Sequence, residues 1–405
     1  MGTQFARGGT HGYLVPEYWS QKLFKDSFAS NPLAQYMGKG SDSIIQVNMD
    51  LTKKKGDKIT FGLRDLLTDN GQTDDGTYEG NEESMTFQKF SLQLHERGHS
   101  VILNGNMSEQ SAAFNLRSEA KTALAEWKGR VAARDIIDSL SGLVSHGFTG
   151  QILGASALAT DASSSQINTV QQVAPSRSST AARYFCGGQT SAGTLTRVDD
   201  PSDVSSSTGY TFGTKVIEYV KRMAQKEVNS SSGAHITPIR PIYVDGEPFY
   251  LMLVDPLQIK ALRGDADWLN AVQYAQKRGN SNWLFSGAAG IWDGVVIKPT
   301  TLLHRRTGAG GITGPEYFDA TGEACASGVS VVRSLFLGAQ AGCVGYGKMP
   351  SWQEGHSDWQ KTKWGFHTNW IYGVKKTAKY SATSDTVTSD SEFGSIIVDT
   401  AVVAD

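Results

Sequence analysis

The chain is 405 residues long, room for roughly two or three units of ordinary domain size, so a peptide or a bare linker is excluded. Its 38 Lys and Arg against 40 Asp and Glu leave a formal net charge of −2, which rules out nucleic-acid binding driven by bulk positive charge. The 39% hydrophobic content is enough for real cores, and 44 glycines against 11 prolines favour turns and bulges over stiff linkers.

Cys186, Cys325 and Cys343 are odd in number and widely spaced without a CxxC pair, so neither a disulfide scaffold nor a structural zinc ribbon fits. The N-terminus lacks an apolar stretch of the secretory kind. The longest unbroken apolar run, residues 249–254, is far too short to cross a bilayer. A soluble protein of a reducing cytoplasm, without membrane contact, is the expectation.

Residues 1–48 scatter apolar anchors such as Leu14, Tyr18, Trp19 and Phe28 among glycines and polar residues, the pattern of an extended arm with a short helix near 16–27. Such an arm cannot bury its aromatics against itself, so they lie on the rest of the protein or on a neighbouring subunit. From Gly56 the chain alternates, with Ile59, Phe61 and Leu63 on one side and Thr60 and Gly62 on the other, which predicts a strand; a second strand follows from Met85. Between them, residues 69–84 carry six acids, no base and three glycines. This is the exposed tip of a long two-stranded arm, which is marginal in water unless it lies on something. Lys54, Lys55 and Lys58 at one end, and Asp74, Asp75, Glu79, Glu82 and Glu83 at the other, are candidate intersubunit contacts, joined by Tyr18 and Trp19. Opposite charge at the two ends suits head-to-tail contact between identical copies; a solvated loop is the alternative. The spacing of Asp74, Asp75 and Glu79 fits no calcium loop.

Residues 108–140 form the clearest predicted helix. Ser108 suits an N-cap, and Ala113, Leu116, Ala120, Leu124, Trp127 and Val131 recur at steps of three and four. Arg117, Glu119, Lys121, Glu126, Lys128, Arg130, Arg134, Asp135 and Asp138 occupy the other face, so the helix reads as a spine with one narrow apolar stripe. At 1.5 Å per residue it is roughly 50 Å long. Residues 143–235 are rich in Ser, Thr, Ala and Gly, and yield only one amphipathic helix at about 213–228. The texture then turns α/β: strands at 242–244 and 250–254, a helix opened by Asp255 as N-cap and Pro256 at its first position, a helix over 268–278 and a strand over 294–298. Later strands are predicted at 329–337, 364–374 and 396–403. No tandem repeat is present, which excludes solenoids and propellers.

The sharpest catalytic motif is His95-Glu96-Arg97-Gly98-His99, an HExxH string in which two histidines one helical turn apart can hold zinc while the Glu serves as general base. It needs a helix, yet Phe90, Leu92 and Leu94 alternate as a strand just before it and Gly98 weakens a helix interior. Gly308, Gly310, Gly311 and Gly314 miss the dinucleotide pattern because Thr313 stands at its last glycine, and no Walker lysine or GxSxG elbow is present. Trp352, Trp359, Trp364 and Trp370 read as core or interface anchors rather than a stacking platform. Lys375, Lys376 and Lys379 read as charges guarding a sheet edge.

The order of arm, acidic-tipped hairpin, spine helix, α/β middle and returning strands resembles the major capsid proteins of tailed bacteriophages, the Hong Kong 97-type fold, and is close to a family of short-tailed phages. The resemblance is carried by Gly56-Asp57-Lys58-Ile59-Thr60-Phe61, Glu79-Gly80-Asn81-Glu82-Glu83, Met107-Ser108-Glu109-Gln110, and Asn115-Leu116-Arg117-Ser118-Glu119-Ala120-Lys121. Residues 334–341 and Gly373-Val374-Lys375-Lys376 add two more matches, while the serine-rich middle has none. What the resemblance implies is an α+β shell subunit: an N-terminal arm (1–48), an E-loop hairpin (49–105), a peripheral domain (106–145 and 327–405) and an axial domain (146–326). It implies self-association into hexamers and pentamers of an icosahedral virion shell made in the host cytoplasm. Portal and scaffolding or decoration proteins and non-specifically contacted double-stranded DNA are the implied partners, with no cofactor, metal or enzymatic activity. Two alternatives remain: a zinc metallohydrolase using His95, Glu96 and His99, and another virion or surface-array protein.

Overall fold

A computed structural model describes residues 33–49, 56–64, 67, 71–74, 76–85, 87–103, 116–142, 170–171, 180–190, 192–226, 228–229, 235–244, 246–274, 289–307, 328–356, 359, 363–380 and 387–402. The first half supplies β1 (Met37–Gly38), β2 (Ile45–Asn48), β3 (Lys58–Arg64), β4 (Phe87–Gln93), β5 (His95–Ile102), the helix α1 (Leu116–Leu140) and β6 (Val170–Gln171). The middle adds β7 (Tyr184–Gln189), β8 (Leu195–Val198), α2 (Thr214–Gln225), β9 (Val228–Asn229), β10 (His235–Ile236), β11 (Ile242–Val244), β12 (Glu247–Val254), α3 (Pro256–Arg263) and α4 (Ala266–Tyr274). Then follow β13 (Gly290–Trp292), β14 (Val295–Pro299), β15 (Arg305–Thr307), β16 (Ser330–Leu337), β17 (Gly342–His356), β18 (Trp364–Lys376), β19 (Ala378–Tyr380), β20 (Val387–Glu392) and β21 (Ser395–Val402).

Among the described residues three large sheets and a two-stranded pair, β9 with β10, organise these strands. The central sheet has nine, in the order β13-β14-β12-β16-β21-β7-β8, with β11 added to β12 and β15 to β16. Its middle strands are apolar on both faces, as strands must be when both sides are covered. One face packs Tyr250, Met252, Phe336, Ile396 and Val398 against Val216, Ile217 and Val220 of α2 and Ile259 and Leu262 of α3. The other packs Leu251, Leu335 and Ile397 in one core with Ile136, Ile137 and Leu140 of α1. The peripheral sheet runs β1-β2-β17-β18-β5 with β6 on β18, and the arm sheet runs β20-β19-β4-β3.

Several sequence expectations hold in detail. Asp255 caps α3, accepting from the Leu257 N–H at 2.9 Å while Gln258 Oε1 accepts from the Asp255 N–H at 3.1 Å. Strands 242–244 and 250–254 lie where alternation and apolar runs put them, and α2 turns Val216 and Val220 inward. The helix predicted over 268–278 is described over Ala266–Tyr274. The short helix near 16–27 and the N-terminal turns of the spine lie outside the described residues.

Other expectations are corrected. Strands β16 and β21 hydrogen-bond inside the central sheet, so sheet membership cuts across a peripheral unit drawn over 327–405. Every residue of both strands is buried, and the charges they carry mid-strand, Arg333 on β16 and Asp399 on β21, pair with each other. The spine is not a helix with one narrow stripe: from Val131 to Leu140 most of its circumference is buried, and Lys128, Asp135 and Asp138 lie inside. It is enclosed because its C-terminal half touches the central sheet on one side and Trp370 and Tyr372 of the peripheral sheet on another. Lys375 and Lys376 guard no edge: both are buried, and where they lie β18 pairs with β17 through Cys343 and Gly342 on one side and with β6 at Gln171 on the other. Trp352 and Trp370 are core residues, whereas Trp359 is 89% exposed.

Candidate assembly surface

The arm begins as a strand pair whose register is fixed by pattern. Ile59 pairs with Leu92 and Phe61 with Phe90, placing apolar side chains on one face. Ile59, Phe90, Leu92 and Leu94 form a small core with Cys343 and Ala378, and the Phe61 and Phe90 rings lie 5.9 Å apart. The arm base therefore has a body to lie on, as a two-stranded ribbon requires.

Beyond the base the arm presents itself to solvent. Among its described residues, Leu67, Tyr78, Met85 and Phe87 are exposed apolar side chains, Tyr78 at 71%. The turn at 76–82 satisfies its own backbone: Asn81 N–H donates to the Tyr78 carbonyl at 3.1 Å, Asn81 Nδ2 to the Thr77 carbonyl at 2.8 Å, and Gly80 N–H to Glu82 Oε2 at 2.9 Å. Gly71 and Gly80 have φ of +70° and +88°, a region that costs glycine little. The tip is thus a built turn carrying both carboxylates and an aromatic ring.

Of the predicted contact residues, Lys58 is exposed where β3 starts, and Asp74, Glu79, Glu82 and Glu83 are exposed at the tip. Lys54, Lys55, Asp75, Tyr18 and Trp19 lie outside the described residues. Lys58 is separated from the acidic tip by the seven residues of β3, about 20 Å of strand, so the structure does not bring the two charge groups together within one copy. Tyr78 was not among the predicted residues. The signal for it was an aromatic ring set between Gly76 and Gly80 in an otherwise polar loop.

The HExxH string is strand β5, not helix. His95 and His99 are four strand residues apart, about 13 Å, too far to share one ion, and the pleat sends Glu96 to the opposite face. Glu96 Oε1 accepts from Asn369 Nδ2 at 2.7 Å, and the His99 ring lies 4.7 Å from that of Trp127. Among the described residues no group of three or more His, Cys, Asp or Glu is arranged to hold a metal. The zinc-hydrolase alternative loses its geometry.

Arg97 of the same string ties β5 to the spine. Its guanidinium pairs with buried Asp135, and Tyr372, whose hydroxyl donates to Asp135 Oδ2, lies 3.3 Å from Arg97 Nη1. Burial pushes the Asp135 carboxyl upward against the pull of Arg97 and Tyr372, while burial, which works against the Arg97 charge, is outweighed by Asp135 and Tyr372 together, so its pKa is raised.

A subunit with closed cores that presents apolar side chains on a projecting ribbon is one made to associate. The chain belongs to the phage capsid protein family, whose profile matches residues 14–404. The major capsid protein of Pseudomonas phage KPP25 is 25% identical over 400 residues, spanning 98% of this chain and 96% of its own. The fold is similar to that in the capsid of Ralstonia phage GP4, with a TM-score of 0.68, 22% identity, and 91% and 90% of the two chains covered. A capsid of cyanophage Pam1 follows, with a TM-score of 0.61, 18% identity and 92% of each chain covered. The mixed α/β architecture is therefore a phage capsid fold, and the chain is a coat protein that self-associates into a capsid lattice.

Proposed function

We propose that the chain is the major subunit of a tailed-phage head of the Hong Kong 97 type, building hexamers and pentamers of an icosahedral shell around double-stranded DNA. The single observation that carries the role of the arm is its tip: Tyr78, Met85 and Phe87 stay exposed on a ribbon whose base is packed. A neighbouring copy that covers them gains apolar burial and shields a strand pair that is marginal alone. The arm is then the E-loop, with Lys58, Asp74, Glu79, Glu82 and Glu83 as its polar contacts. The N-terminal segment (1–48), this hairpin (49–105), a peripheral unit and an axial unit (146–326) form the working division, with β16 and β21 assigned to the central sheet. A net charge near zero suits dense packing of identical copies. The role is structural and not enzymatic. Portal and scaffolding or decoration proteins and non-specifically held DNA are the partners, in a virion assembled from subunits made in the bacterial cytoplasm.

Deleting residues 69–83 tests this. The expected product is a soluble subunit with the circular dichroism of the full chain and no shells or capsomer rings by negative-stain electron microscopy. Normal particles from the deletion would end the E-loop assignment.

A further inference from the structure

The stretch from Lys375 into β21 does something no other stretch of the described chain does: it enters the peripheral, arm and central sheets in turn. Lys375 and Lys376 end β18 of the peripheral sheet, β19 pairs with the arm at Tyr380 and Lys89, β20 returns, and β21 enters the central sheet. Side chains lock this crossing to the arm. Lys375 Nζ donates to the Ser91 carbonyl of β4 at 2.9 Å, and buried Lys376 Nζ donates to Glu392 Oε1 at 3.1 Å. The crossing is closed by backbone bonds from Thr377 N–H to the Ala341 carbonyl at 3.1 Å and from Gly338 N–H to the Gly394 carbonyl at 2.8 Å.

Below the arm the peripheral sheet is paved with glycine. Gly345 and Gly373 are cross-strand partners. A Cβ on Gly373 would sit 2.1 Å from the Gln93 carbonyl oxygen, and one on Gly345 would sit 2.8 Å from both Ile59 Cδ1 and Leu92 Cδ2. A side chain at Gly373 lifts or tilts the arm, because what it meets there is backbone, whereas one at Gly345 presses on the ends of the arm's apolar side chains. The arm thus rests on a seat without side chains at these two positions and is pinned beside it.

We propose that this junction, the Gly345 and Gly373 seat with the Lys375 tie to Ser91, is a positioning element that fixes the pitch of the arm against the body and so sets the curvature of the shell. The inference rests on the reading of the arm as the contact to a neighbouring copy. A small change in the angle between identical subunits changes which rotation closes, so a tilted arm yields shells of other diameters, tubes or open sheets.

The test is to express Lys375→Met and Gly373→Ala separately, each with the phage's other head proteins, and to measure particle diameters by electron microscopy beside circular dichroism and the melting of the purified subunit. The expected result is a folded, cooperatively melting subunit whose particles are mostly of wrong size or shape, with those of wild-type diameter reduced to about a tenth or less. Wild-type diameters at wild-type yield from both variants would overturn the proposal. So would folded variants that give no particles, since the junction would then gate assembly rather than shape it, and so would loss of the cooperative melt in both, which would make it a folding element only. The 69–83 deletion separates the two ideas: normal particles from it remove the underlying reading, whereas its failure to assemble alongside normal-sized Lys375→Met and Gly373→Ala particles removes the curvature inference alone.

Discussion

Asp399→Asn is expected to destabilise the isolated subunit by about 3–5 kcal/mol, the cost of leaving a buried charge without its partner. Arg333 and Asp399 are 1% and 0% exposed. Arg333 Nε and Nη2 donate to the two carboxylate oxygens at 2.8 and 2.7 Å, Tyr184 OH donates to Asp399 Oδ2 at 2.9 Å, and Arg333 Nη1 donates to the Ser141 carbonyl at 3.0 Å. The asparagine keeps the shape but supplies an amide where a second acceptor stood, so a full positive charge remains inside the protein. The Ser141 bond adds a consequence, because it holds the C-terminal end of the spine over the central sheet. Equilibrium urea unfolding of the purified subunit gives the number. The paired apolar replacement Arg333→Met with Asp399→Leu should recover most of the loss, since desolvation of both ions is then avoided. A cost below about 1 kcal/mol for Asp399→Asn would mean that water reaches the pair.

That pair also marks where sequence reading ends. Elements governed by local rules were legible: the Asp255 cap with Pro256 behind it, the stripe of α2, the apolar run of β12, the alternation of β3, and the strand character that Leu92 and Leu94 give to the HExxH region. The acidic tip was legible from composition. Residues whose role depends on partners far along the chain were not. Asp135 and Asp138 look like the wet side of a helix until Arg97, Tyr372 and His304 arrive from 38 to 237 residues away. Lys376 looks like an edge charge until Glu392 reaches it. Strand β17, fifteen residues long, was not predicted because Gly342, Gly345, Gly347 and Gly355 depress its strand propensity. At least two of those glycines are there for the arm that lies across them, which is a tertiary reason no local pattern records.

Lys128→Met is expected to stabilise the subunit at or below pH 7 and to flatten its response to pH. Lys128 is 5% exposed on α1, its Nζ lies 5.6 Å from the Trp370 ring centroid, and burial lowers its pKa to about 7. The folded value is thus below the unfolded one of about 10.4. Between those two values the unfolded chain holds a proton that the native state lacks, so stability rises with pH across that window; below about pH 7 both states are protonated and the full cost of the buried charge is present. Methionine keeps the stem and removes the charge, which should gain about 2–4 kcal/mol at pH 6 and much less at pH 10. Lys376, also lowered by burial against the pull of Glu392, leaves the variant a residual slope of the same sign. Urea midpoints for both proteins at pH 6, 8 and 10 give the comparison, and the difference between them cancels the groups they share. If Lys128→Met is instead the less stable protein at pH 6, the ammonium is held by the Trp370 face strongly enough to outweigh its desolvation, and the joint between spine and peripheral sheet is a cation–π contact rather than a buried charge endured for packing.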